Sequence, residues 1–282
     1  MPQHPMHFFR RIKSAHAALV LISAWLTLLP LSAWSKSNSV FLEDLTWTEV
    51  REQLQAGKTT IIIPIGATEQ SGPHMALGKH NVRAKVLAGK IAASLGNALV
   101  APVLAYVPEG NITPPSGHMR FSGTISVPDD AFKGILDGAA RSFRQHGFQD
   151  IVFIGDHGGY QAQMKAVAAR LNRDWTATPV RAHFIAEYYR VVETDYVQAL
   201  RSKGLTDAQI GLHAGVADTS LMMAIDASLV RTDQMPRDPA EARANGIVGD
   251  PRASSAALGQ LGVDLIVART TAAIRAAVAA RH

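Results

Sequence analysis

Two short apolar runs constrain the fold of this chain more than any other feature: Thr59-Thr-Ile-Ile-Ile-Pro-Ile-Gly66 and Asp150-Ile-Val-Phe-Ile-Gly155. Each is too short for a typical helix, is rich in isoleucine and valine, and ends in glycine, so each reads as a buried strand. Between and after them, helical and strand-like periods alternate. A helix is expected over 42–55, with Thr46 and Glu49 in capping-box spacing, and another over 81–95, stopped by Gly96. Strands are expected over 99–107, 123–127 and 180–186, and helices over 128–146 and 161–174. An alanine-rich helix closes the chain. This alternation predicts an α/β layered fold with a mainly parallel sheet flanked by helices, and no internal repeat or low-complexity linker divides it.

The first 35 residues read differently. Arg10, Arg11 and Lys13 precede an apolar run over 17–31, and Ala33-Trp34-Ser35 has the small-x-small form of a cleavage site. Charged region, apolar region and cut site together predict an export signal over 1–35, leaving a domain over 36–282 in the periplasm or secreted. The competing reading is an uncleaved membrane anchor, since the run approaches the roughly 18 residues at which a span begins to be suspected. Pro30 and the cleavage triplet favour removal, so no stable membrane anchor is expected.

Charge and cysteine content narrow the chemistry. The chain carries +5, but the leader holds three of its basic residues and no acid, which leaves +2 on the remainder. No basic run is interleaved with aromatics, so nucleic acid is not an expected partner. There is no cysteine, which excludes a thiol nucleophile, a thiolate metal site and disulfides.

The loops after the two strands carry the chemical signal. Glu69, His74 and His80 follow the first, and Asp156-His157-Gly-Gly follows the second. A carboxylate and imidazoles at strand ends are where α/β proteins place their sites, and they suggest a hydrolytic metal centre. His118 and His213 also stand in glycine-flanked loops. Each such histidine alone is more often a hydrogen-bonded loop residue than a functional one; five together are not.

Four blocks in order make the chain resemble the creatininase (creatinine amidohydrolase) family: 64–78, Phe121-Ser-Gly-Thr-Ile-Ser126, Gly155-Asp-His-Gly-Gly159, and His213-Ala-Gly-Val-Ala-Asp-Thr-Ser220. A fifth, Gly246-Ile-Val-Gly-Asp-Pro251, sits before the last helix, and the match spans about 42–282. The resemblance implies two divalent ions, usually zinc or manganese, at the strand ends. The family's first block reads Glu-Gln-His-Gly-Pro-His-Leu-Pro-Leu-Gly-Thr-Asp; its Glu, first His and final Asp are ligands, the Asp bridging both ions. In this chain these are Glu69, Ser71 and His80. The family's next ligand histidine is matched by His157, and the carboxylate that creatininase itself places two residues later is Gly159. The resemblance therefore implies one ion per chain, held by Glu69, His80 and His157, because an imidazole does not bridge two ions as a carboxylate does. Zinc and manganese lead, and two histidines with one carboxylate also form a set used by non-haem iron.

The implied reaction is hydrolysis of a non-peptide, often cyclic, C–N amide bond of a small molecule by a metal-activated water. His213 matches a family histidine beside the substrate and is the candidate proton shuttle; Asp218, in place of the family's Glu, orients a ligand or the substrate. His118 and His74 are candidates to line the pocket, against the plainer reading that they brace their loops. Creatinine itself is disfavoured: creatininase uses tryptophans before the His213 block, and this chain's are Trp25, Trp34, Trp47 and Trp175. The resemblance also implies a homo-oligomer, a hexamer in the family. The rival reading, of another class, is a catalytically silent periplasmic binding or scaffold protein derived from such an enzyme.

The leader yields the first prediction. Protein recovered after export in a Gram-negative host is expected to begin near Lys36 in the soluble fraction; N-terminal sequencing that finds Met1 intact in membranes would refute it.

Overall fold

The structure, a computed structural model, describes residues 39–280; the leader expected over 1–35 lies outside the described residues. In chain order the elements are α1 (Trp47–Gln55), β1 (Thr60–Ile65), α2 (Lys79–Leu95), β2 (Ala98–Val100), α3 (Asp129–Gln145), β3 (Asp150–Gly155), α4 (Gln161–Asp174) and β4 (Arg181–Phe184). Six further helices follow: α5 (Glu187–Glu193), α6 (Asp195–Ser202), α7 (Asp207–Ile210), α8 (Val216–Asp226), α9 (Pro239–Ala244) and α10 (Ala256–Ala279). The sheet is four-stranded and wholly parallel, in the order β2-β1-β3-β4. The fold is α/β, as the alternating pattern predicts.

The two apolar runs form the central strands. They pair in register from Thr60 opposite Asp150 to Ile65 opposite Gly155. Strand side chains alternate between faces, and the alternation sorts them into two cores. Ile61, Ile63, Ile65, Ile151 and Phe153 pack with Phe132 and Leu136 of α3 and Met164 and Leu171 of α4. Ile62, Val152 and Ile154 pack on the other face with Leu87 and Ile91 of α2, Tyr188 of α5 and Ile266 of α10. Both faces are covered, as a parallel sheet requires.

The remaining expectations hold in part. The capping box forms, with Thr46 Oγ1 accepting from Glu49 N and Glu49 Oε2 accepting from Thr46 N at 2.7 Å. The strand expected over 99–107 stops at Val100, because Pro102 has no N–H to continue the ladder. The segment 123–127 is not a strand. It is tied by single bonds rather than a ladder: Ile125 N to Thr68 O, Val127 N to Val107 O, Gln70 N to Thr124 Oγ1, Glu109 N to Ser126 Oγ, and Ser126 Oγ to Gly110 O.

From β1 the chain goes first to β2 on one side and then, past β1, to β3 on the other. The order therefore reverses between β1 and β3, and the crevice beyond their carboxyl ends is where such sheets bind ligands. Glu69 and His157 lie just past those two ends.

The last helix packs on the same sheet face as α2, against α2, α5 and α8. Gly259 of α10 lies against the α8 backbone: a Cβ there would sit 1.8 Å from Ser220 O and 2.9 Å from Ala224 Cβ. Gly259→Ala should therefore destabilise the protein by about 1–3 kcal/mol, despite the gain of about 1 kcal/mol that alanine brings to an open helix position. A melting temperature equal to or above that of the unaltered protein would show that the two helices do not need this contact.

Candidate metal centre

The loop leaving β1 is fixed before it reaches the site. Ala67 N donates to Asn81 Oδ1 at 3.1 Å, Gln70 N donates to Thr124 Oγ1 at 3.2 Å, and Glu69 N bonds to Leu77 O. These bonds carry the Glu69 side chain into the crevice, where it is fully buried. After β3, the Tyr160 hydroxyl accepts from His157 N at 3.1 Å and reaches the Gly66 carbonyl at 2.7 Å, locking the two strand-end loops together.

Three ligand-type side chains converge there: Glu69, His118 and His157, with donor atoms all within 4.8 Å of one another. His118 Nε2 and His157 Nε2 each lie 3.4 Å from Glu69 Oε2. That oxygen is buried and accepts no hydrogen bond. Ligand atoms held at about 2.0–2.1 Å around a tetrahedral ion are about 3.4 Å apart, so these separations suit a first-row divalent ion. The other ring nitrogens are engaged: His118 Nδ1 lies 3.0 Å from Gln70 Nε2, and His157 Nδ1 accepts from Gly159 N at 3.2 Å. The residues present fit a metal.

His80 stands elsewhere. Its Nε2 is 2.7 Å from Glu69 Oε1 and its Nδ1 is 2.6 Å from Asp156 Oδ2. Both ring nitrogens are spent on carboxylates, so His80 holds Glu69 from behind while His118 fills the place in the converging set that the sequence assigns to His80. The reason is positional. His80 is the second residue of α2, whose first turn lies behind the loop, whereas the loop after β2 swings His118 over the strand ends.

The other candidates divide. His213 reaches the crevice: its Nε2 is 3.0 Å from Gln70 O, which leaves Nδ1 facing inward, 3.8 Å from Glu69 Oε1. Its turn depends on Gly211, whose φ of 68° and close approach to Val248 O, 2.0 Å from where a Cβ would be, exclude a side chain. Asp218 is committed on every side: Oδ2 accepts from Lys79 Nζ at 3.1 Å and from Ala214 N at 2.9 Å, and Oδ1 accepts from Arg83 Nη1 at 2.8 Å. It orients the His213 turn. His74 does not line the crevice. It is fully buried, with Nε2 3.0 Å from Thr219 Oγ1, and braces the loop against α8.

Sequence reasoning missed Glu109. It is buried in the loop after β2, and neither of its oxygens accepts a hydrogen bond. Its Oε1 is 3.3 Å from His157 Nδ1, with no hydrogen bond between them. The available signal was its setting, a carboxylate between Pro108 and Gly110 straight after an apolar run, the same setting as Glu69. Burial and the nearby Glu69 carboxylate push Glu109 up to about 9. Glu69 is held well below the ordinary carboxylate range by His80 and Lys79, against its own burial. Burial, with Lys79 and neighbouring imidazoles adding to it, lowers His157 to about 4 and His213 to about 3, and burial with Lys79 lowers His74 to about 4. All three imidazoles are neutral at physiological pH, the form a metal or a proton requires.

The crevice opens into a cavity of about 670 Å3. Glu69, His118, His157 and His213 line its floor, and Tyr189 and Leu212 belong to its wall.

The chain is similar to known proteins over most of its length. The creatininase family profile, described as creatinine amidohydrolase, matches residues 43–274. The creatinine amidohydrolase of Pseudomonas putida is 28% identical over 258 residues, covering 85% of this chain and 97% of that protein. The mycofactocin precursor peptide peptidase of Mycolicibacterium smegmatis is 28% identical over 234 residues, covering 76% and 83%. A crystal structure of creatininase superposes with a TM-score of 0.70 at 26% identity, covering 84% of this chain and 97% of that one. Solved creatininase structures include a Zn–Zn type and a manganese form.

The shifted groups set a pH profile for the metal-free protein. The unfolded imidazoles titrate near 6.5, so from there down to about pH 4 the unfolded chain binds more protons at His74, His157 and His213. Stability then falls as pH falls. Glu109 acts in the opposite sense. Folded, it keeps a proton up to about 9, so above neutrality stability falls as pH rises. Below 6.5 three imidazoles outweigh one carboxyl, and the melting temperature should peak near pH 6.5–7. Glu109→Gln should flatten the alkaline limb between pH 7 and 9 and steepen the acid limb below pH 6.5, since Glu109 opposes the imidazoles there. An alkaline limb unchanged in that variant would contradict the assignment.

Proposed function

This chain belongs to the creatininase family, and on that footing we propose that it is a metal-dependent amidohydrolase that cleaves a non-peptide C–N amide bond, cyclic amides included. The observation that carries the reading is the bare Glu69 Oε2, faced at 3.4 Å by the Nε2 atoms of His118 and His157 on the floor of the cavity.

Glu69, His118 and His157 would hold one ion, zinc or manganese, with iron compatible with the donor set. A divalent ion bound there supplies Lewis acidity towards the amide carbonyl and acidifies water to a pKa of about 7. The chain's own residues do the rest. His213 presents Nδ1 to the crevice as a neutral acceptor and can pass a proton to the departing nitrogen. Gln70 ties two of the histidines together, with its side-chain Nε2 3.0 Å from His118 Nδ1 and its backbone carbonyl accepting from His213 Nε2 at 3.0 Å, so proton donor and metal ligand keep a fixed separation. The cavity volume lies within the range of small-molecule sites.

The curated relatives act on a cyclic amide and on a peptide by name, so the family does not fix the substrate. Export of the chain and its assembly into a homo-oligomer belong to the same proposal, the first resting on the leader-like residues 1–35 and the second on the family.

Metal analysis of the purified protein, followed by hydrolysis assays on a panel of small cyclic and linear amides, tests the reading. His118→Ala and His157→Ala should each lower metal affinity at least 100-fold and abolish hydrolysis. His80→Gln, which keeps a hydrogen-bonding side chain beside Glu69, should cost about 10–100-fold. Retention of metal by His118→Ala, with loss in His80→Gln, would return the ligand role to His80. A protein that takes up no metal and hydrolyses none of the panel would favour the binding-protein reading.

A further inference from the structure

The inner half of the site holds charges that the hydrolytic reading does not use. Lys79 is the first residue of α2 and its side chain is 1% exposed. The placement is costly twice over. Burial strips the ammonium of water, and the helix N-terminus carries the positive end of the dipole, with no acid in the first turn of α2 to offset it. The compensation comes from other segments: Asp218 Oδ2 at 3.1 Å from Nζ and Glu69 Oε1 at 3.9 Å. One turn further on, Arg83 places Nη1 2.8 Å from Asp218 Oδ1 and Nε 2.7 Å from Asp156 Oδ2.

Glu69 is thereby divided. Its Oε2 faces His118 and His157 and accepts no hydrogen bond; its Oε1 faces His80 and Lys79. Asp218 has no oxygen left over. We infer that the Lys79 ammonium is a built-in cation that, with His80 on Glu69 Oε1 and Arg83 on Asp218 Oδ1, neutralises these two carboxylates and so leaves no place for a second divalent ion.

The inference rests on the one-ion hydrolase reading and deepens it: the chain is not merely short of ligands for a second ion but supplies that charge covalently. The test is the number of zinc or manganese ions bound per chain, by titration calorimetry and elemental analysis, in three proteins. The unaltered protein should saturate at one. Lys79→Met, close in shape but uncharged, should show a second, weaker binding event. Lys79→Met with Asp218→Asn, which removes the freed carboxylate as well, should return to one. If Lys79→Met is unstable, millimolar zinc or manganese should restore its folding, since a divalent ion can replace the lost ammonium. Two ions in the unaltered protein, a Lys79→Met isotherm identical to it, or a Lys79→Met protein that metal cannot rescue would each overturn the inference. An unaltered protein that binds no metal would instead overturn the hydrolase reading itself.

Discussion

Three carboxylates, Glu69, Asp156 and Asp218, are taken out of water at the ends of three different segments and remain ionised there. Burial raises each of them, and the neighbouring His80, Lys79 and Arg83 more than reverse that. A buried charge left unpaired costs several kcal/mol, so these groups have little freedom to separate. Arg83 alone spans Asp156 after β3 and Asp218 of α8, and Tyr188 of α5 completes the set by donating to Asp156 Oδ1 at 2.8 Å. The network fixes the β1 loop, the β3 loop and the α8 turn relative to one another, and the crevice is what remains between them.

Most of the fold was legible in the sequence because its determinants are local. Apolar β-branched runs bounded by glycine gave β1 and β3, and the Thr46–Glu49 spacing gave the start of α1. The edges were less legible. Residues 99–107 and 123–127 have the composition of strands, but Pro102 ends one, and the other makes isolated bonds, to Thr68 and Val107 among others, and no ladder. Whether an extended segment becomes a strand depends on a partner brought from far along the chain, and composition does not record that.

The site was legible at Glu69, His157 and His213, each a loop residue close behind a strand or a glycine turn. His118 and His80 were distinguishable only in three dimensions. In sequence both are histidines near glycine, and the one nearer to Glu69 in the chain turned out to support it from behind. Glu109 and Lys79 escaped notice for a physical reason: a single glutamate or lysine is by default a solvated surface residue. Only the fold shows that these two are buried against other charges.

The division of the Glu69 carboxylate reaches beyond catalysis. The inner half of the centre is neutralised entirely by side chains, and the core residues of both sheet faces pack without any ion. The polypeptide is therefore not in the position of a small zinc domain, whose shape and metal arrive together. It can complete its architecture first and acquire its ion afterwards. Under the one-ion proposal, folding and metal loading would then be separable events, and the fraction of the protein holding an ion would follow the supply of metal rather than the success of folding.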